Sequence, residues 1–173
     1  MASVAFAAIG AIALTFPDHW WAMLIALAGV QLRLLCNVLD GLVAVEGGKK
    51  SAVGAIYNEF PDRVADSVLL IAAGYAAGEP SLGWAAALLA ALTAYIRVFG
   101  GSLGLEQRFI GPMAKQHRMA VLSLACVLAM VEAAAHLPQR SLFAALVIIA
   151  AGSAITCITR THAIASELKG TDR

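Results

Sequence analysis

Residues 33–66 read RLLCNVLDGLVAVEGGKKSAVGAIYNEFPDRVAD. These are two apolar segments carrying Arg33, Asn37 and Asp40 in the first and Asn58, Glu59, Asp62, Arg63 and Asp66 in the second, joined by Glu46-Gly47-Gly48-Lys49-Lys50. Outward in both directions the chain turns apolar and nearly uncharged. Of its 173 residues 61% are hydrophobic and 13% charged, against about 45–50% and about 25% in a soluble domain. Long apolar runs separated by short charged clusters are the pattern of a polytopic membrane protein. Charges inside such spans are costly and mark a functional site or a structural ion pair.

A helix crosses the hydrocarbon core with about 20 apolar residues. The candidates run from Ala2 to Phe16, Trp20 to Val45, Ala52 to Ala77, Leu82 to Leu103, Met119 to His136 and Leu142 to Thr161. The expected fold is all-α: one polytopic membrane domain over residues 1–173 with six transmembrane helices. The first run is short and starts at Met1 without a charged flank, which points to a late start site or missing upstream sequence rather than a signal peptide. Lys49 and Lys50, then Arg108, Lys115 and Arg118, then Arg160, Lys169 and Arg173 cluster after the second, fourth and sixth runs. Short cytoplasmic segments collect such residues, so both termini are expected inside. Trp20, Trp21 and Trp84 then fall at outer ends, where indoles favour the headgroup region.

The formal net charge of +1 comes with no basic stripe, which excludes a nucleic-acid binder. Cys36, Cys126 and Cys157 are odd in number and lie in apolar runs, so no disulfide framework or CxxC metal pair is expected.

At about 100° per residue, Arg33, Asn37, Asp40, Gly41 and Ala44 share one arc of the second helix, while Gly54, Asn58, Asp62 and Asp66 step by four along the third. The two faces can oppose each other across the hairpin. Counting about 1.5 Å per residue from the inner ends puts Asn58 about 9 Å deep, Asn37 about 12 Å and Asp62 about 15 Å. Arg33 and Asp66 come out deeper, at about 18 and 21 Å, and are expected to form an ion pair that closes the cavity floor and leaves Asp62 free. Pro61 withdraws a backbone donor beside Asp62 and should loosen or kink the helix there.

At these residues the chain resembles the CDP-alcohol phosphotransferases, whose signature D-x2-D-G-x2-A-R-x8-G-x3-D-x3-D spans the second and third of six membrane helices. Here it reads Asn37-x2-Asp40-Gly41-x2-Ala44-Val45-x8-Gly54-x3-Asn58-x3-Asp62, with every spacing kept. The resemblance implies displacement of CMP from a CDP-linked lipid donor, CDP-diacylglycerol or a related lipid, by an alcohol acceptor. It implies an integral membrane enzyme of phospholipid synthesis, of the bacterial inner membrane, with its site at the cytoplasmic face and a homodimer among the expected assemblies. Carried over position by position, Asn37, Asp40, Asn58 and Asp62 are the metal ligands, for Mg2+ or Mn2+, and Asp62 is the base. Gly41, Ala44 and Gly54 let the cytidine diphosphate approach the backbones, and Arg97, Lys115 and Arg118 are candidates for the donor phosphates.

The departures carry their own chemistry. Asn37, Val45 and Asn58 replace two aspartates and the arginine, so the four ligand positions carry −2 rather than −4. An amide oxygen ligates a hard cation more weakly than a carboxylate, so one ion rather than two is expected. Glu46 and Glu59 stand beside altered positions and can restore charge, although Glu59 lies about 100° off the face of Asn58. Two rivals stay open: a pseudoenzyme of the same fold, and a small transporter with the polar cluster as its ion path. The few polar residues in the outer helix halves argue against the transporter. A purely structural membrane subunit is the weakest alternative.

Overall fold

The computed structural model describes residues 2–46, 52–138 and 140–171, with the side chains of residues 40–46, 52–58 and 171 outside that description. Six helices result: α1 (Ala2–Leu14), α2 (Trp20–Glu46), α3 (Ala52–Ala76), α4 (Pro80–Ser102), α5 (Lys115–Ala134) and α6 (Arg140–Thr171). Each coincides with an expected span. Four are long and apolar enough to cross a bilayer: α2 over Trp20–Leu39, α4, α5, and α6 over Arg140–Gly170. At 13 residues α1 is shorter, and α3 has the length but carries Glu59, Asp62, Arg63 and Asp66.

Two boundaries differ from expectation in ways that matter. α5 begins at Lys115, four residues before the expected Met119, and α6 runs to Thr171 instead of Thr161. Lys115, Arg118 and Arg160 are therefore helical residues of the bundle rather than charges of loops. The tryptophans Trp20, Trp21 and Trp84 are exposed at the ends where interfacial anchors were expected.

The close pairings among the described residues form a ring, α1 to α2, α2 to α5, α5 to α6, α6 to α4, α4 to α3 and α3 back to α1, with α3 also touching α6. The packing is of the membrane type. Small side chains lie inside, including Ala7, Ala26, Ala65, Ala73, Ala90 and Ala129, whereas Leu88, Leu124, Ile148 and Ile155 face outward. Lipid is as apolar as leucine, so helices gain from close backbone approach rather than from hiding large side chains. The crossing of α3 and α4 shows this most sharply. A Cβ on Gly83 would sit 2.8 Å from the Gly74 Cα and 2.9 Å from the Leu70 carbonyl oxygen, both backbone atoms. Gly83→Ala should therefore force the helices apart at a cost of about 1–3 kcal/mol, read as a lower unfolding midpoint in detergent.

Glu132, to which the sequence reading assigned no role, accepts hydrogen bonds from the Ser141 N–H at 3.1 Å and the Ser141 hydroxyl at 2.6 Å. It thereby satisfies an otherwise unpaired donor in the first turn of α6. Glu132→Ala is expected to cost about 1 kcal/mol of stability and to leave every property of the distant polar cluster unchanged. Cys36, Cys126 and Cys157 are free thiols, and Cys157 donates to the Leu89 carbonyl at 3.8 Å.

Candidate active site

α2 and α3 are not among the close pairings, and polar side chains bridge the space between them. Arg33 on α2, fully buried, donates from Nη2 to Asp66 Oδ1 on α3. The same nitrogen donates to the Asp62 carbonyl oxygen at 3.3 Å and lies 3.7 Å from Asp62 Oδ1. The expected Arg33–Asp66 pair is thus present. Asp62, however, is not left free: the Lys115 ammonium, from the first turn of α5, donates to its Oδ2.

The geometry of α5 explains how this happens. Lys115 and Arg118 are three apart on α5, Asp62 and Asp66 four apart on α3, and each spacing advances about one turn along a helix face. The two rungs match: Lys115 meets Asp62, and Arg118 donates to Asp66 Oδ2 at 3.1 Å. Arg118, expected near the donor phosphates, is 1% exposed and also donates to the Met113 carbonyl at 3.0 Å and to Thr93 at 3.4 Å. It is a pillar of the bundle. Desolvating a guanidinium this deeply is tolerable only with such partners.

A second tier lies closer to the inner end. Glu59 accepts from Arg97 on α4 and from its own helix neighbour Arg63, both at 2.7 Å. Its offset from the Asn58 face aims it at Arg97 on α4. Arg97 also donates to Gln107 at 2.8 Å and stacks its guanidinium 4.6 Å from the centre of the Phe109 ring.

The segment between α4 and α5 is seated on α6. Gly111 has φ 110°, and a Cβ there would meet Thr156 at 2.6 Å. The Met113 N–H donates to the Thr156 hydroxyl at 3.0 Å, and Arg160 donates to the carbonyls of Ile110, at 2.9 Å, and of Thr93. The sequence reading counted Arg160 only among the cytoplasmic charges and passed over Thr93. A lone arginine near the inner end of the last span, the same signal that singled out Arg97, would have found the first.

Of the site residues expected from sequence, Lys115 joins Asp62 and shares the cavity lining with Asn37, and Arg97 stands in the adjoining tier. Asp40, Gly41 and Ala44 lie on α2, and Gly54 and Asn58 on α3, but their side chains fall outside the described residues, as do those of Glu46 and Val45. Lys49, Lys50 and Arg173 lie outside them entirely. Between α2 and α5 a cavity of about 450 Å³ is lined by Gln31, Leu34, Asn37, Val38, Lys115, Gln116 and Ala120. That volume is within the range of small-molecule sites. The lining mixes apolar Leu34, Val38 and Ala120 with the amides of Gln31, Asn37 and Gln116 and the ammonium of Lys115.

Among the described residues no three acidic, histidine or cysteine groups converge to hold a metal. Asp62 Oδ1 is nevertheless buried without a hydrogen-bond partner, and Asn37 is half-buried at the cavity with an unpartnered amide nitrogen. A carboxylate oxygen such as Asp62 Oδ1 is the kind of donor a hard divalent cation takes, whereas the amide nitrogen of Asn37 is not. The other Asp62 oxygen is taken by Lys115.

No family model matches the chain. Over 100 residues it is 37% identical to the archaetidylinositol phosphate synthase of Aeropyrum pernix, an alignment covering 57% of this chain and 51% of that protein. The chain thus spans about half the length of the curated relative it matches. Its fold is that of the Mycobacterium tuberculosis phosphatidylinositol phosphate synthase solved with manganese and citrate: TM-score 0.74 at 18% identity, covering 94% of this chain and 79% of that one. With four helices able to cross a bilayer, the chain is an all-helical integral membrane protein.

Proposed function

We propose that this chain is a membrane-embedded CDP-alcohol phosphotransferase that transfers a phosphatidyl or related phospho-alcohol group from a CDP-linked lipid to an alcohol and releases CMP. All six helices then belong to one membrane domain, with α3 shielded by its neighbours and both ends on the cytoplasmic side. Lys49, Lys50, Arg108 and Lys169 support that orientation once Lys115, Arg118 and Arg160 are assigned to the bundle. The observation that carries the reading is the placement of Asp62, the last position of the spaced motif. It is buried, joined through Oδ2 to Lys115, which lines the cavity, while its Oδ1 accepts no hydrogen bond and lies 3.7 Å from Arg33. The two named synthases that the chain resembles in sequence or fold support the same class of reaction.

In this reading the Asp62 carboxylate takes the proton of the acceptor hydroxyl. The acceptor oxygen forms a new bond to the donor phosphorus as the bond to CMP breaks, and CMP leaves with that electron pair. Lys115 and Arg97 offset the charge on the phosphate oxygens, a transfer that depends mainly on positioning and electrostatics. Asn37, Asp40, Asn58 and Asp62 would hold Mg2+ or Mn2+, which when bound supplies further charge neutralisation at the donor diphosphate. Gly41, Ala44 and Gly54 keep the helix faces low where the nucleotide lies. The apolar part of the cavity suits the start of the lipid chains.

The test is incubation of the purified protein with CDP-diacylglycerol, Mg2+ and a mixture of alcohol and phospho-alcohol acceptors. Acceptor-dependent CMP release is expected. Its absence across metals and acceptors would favour a pseudoenzyme of this fold.

A further inference from the structure

Resting on that reading, we propose that Lys115 is a built-in cation of the site. Its ammonium occupies, on Asp62, the place that a second divalent ion would take, so the chain works with one. Three observations converge on it. The four motif positions retain only two carboxylates, Asp40 and Asp62, and one of these already carries Lys115. One divalent ion together with Lys115 exceeds those carboxylates by a single charge, which a diphosphate donor can offset. Two divalent ions with Lys115 would exceed them by three.

The wider cluster is cationic as well. Among the described residues, Arg33, Arg63, Arg97, Lys115 and Arg118 pair with Glu59, Asp62 and Asp66. Five cations against three carboxylates leave these described side chains at +2 before any metal enters. Each further cation works against that field.

Lys115 is also held in place. Arg118, one turn along α5, is locked onto Asp66 and onto the Met113 carbonyl. The segment leading into α5 is fastened to α6 through Gly111, Met113 and Thr156. A compact ammonium fixed in this way acts as a point charge at the carboxylate, much as a small cation does.

The test is Mn2+ titration of the purified full chain in detergent, followed by loss of the free-ion electron paramagnetic signal, with and without CDP as the nucleotide probe. The wild type should take up one Mn2+ per chain with CDP present, and Lys115→Arg should match it. Lys115→Met should take up a second ion, or bind the first about tenfold more tightly or better. Two ions on the wild type, or a Lys115→Met titration that overlays the wild type, would overturn the proposal. If Lys115→Met does not assemble, Lys115→Gln, which keeps a hydrogen-bond donor without the charge, is read by the same two criteria. CMP release with two Mn2+ bound would sink the built-in cation and spare the transferase reading. One bound Mn2+ with no release on any acceptor would do the opposite.

Discussion

Asp62→Asn is expected to lower acceptor-dependent CMP release by about 100-fold to 10,000-fold, with the helix bundle still assembled. The substitution keeps the size of the side chain and removes its charge and basicity. Asp62 has a neighbour that would otherwise tie its loss to collapse, because Arg33 touches it at 3.7 Å. Arg33 is anchored independently by Asp66, so its charge stays paired. Lys115 loses its carboxylate, but its side chain is partly exposed at the cavity and can be hydrated there. Helicity and the unfolding midpoint should therefore move far less than turnover. Turnover within a few-fold of the wild type would remove Asp62 from the role of base.

What the sequence made legible follows from periodicity. The pairing of Arg33 with Asp66 needed only a depth count and two helical faces, both of which survive uncertain boundaries because the residues lie mid-helix. The pairing of Lys115 with Asp62 and of Arg118 with Asp66 was not legible. Gly111 and Pro112 followed by Lys115, Gln116, His117 and Arg118 have the composition of a cytoplasmic loop, and the start of α5 was accordingly placed at Met119. Positive-inside sorting and a functional cation at a helix start leave the same trace in sequence. Only the seating of the preceding segment on Thr156, more than 40 residues away in the chain, separates them. Helix order around the ring is equally non-local: it is what places α5 rather than α3 beside α2.

The second large effect concerns stability. Asp66 is 1% exposed, and its two oxygens receive Arg33, fully buried, and Arg118, 1% exposed, so one carboxylate balances guanidinium groups from α2 and α5. Asp66→Asn strands Arg118 and leaves Arg33 with the looser Asp62 contact at 3.7 Å, and breaking a buried pair by removing one partner typically costs about 3–5 kcal/mol. The neighbouring Arg63 at 3.9 Å adds to the positive charge left behind. The expected result is a steep fall in the unfolding midpoint in detergent, with CMP release per folded molecule reduced far less than in Asp62→Asn. Because that cost comes from uncompensated charge more than from a lost attraction, Arg33→Met combined with Asp66→Asn should regain part of the stability. If Asp66→Asn instead leaves a well-folded protein without turnover while Asp62→Asn remains active, the two aspartates exchange roles, and the base would lie on the Arg118 rung, one turn deeper in the bundle.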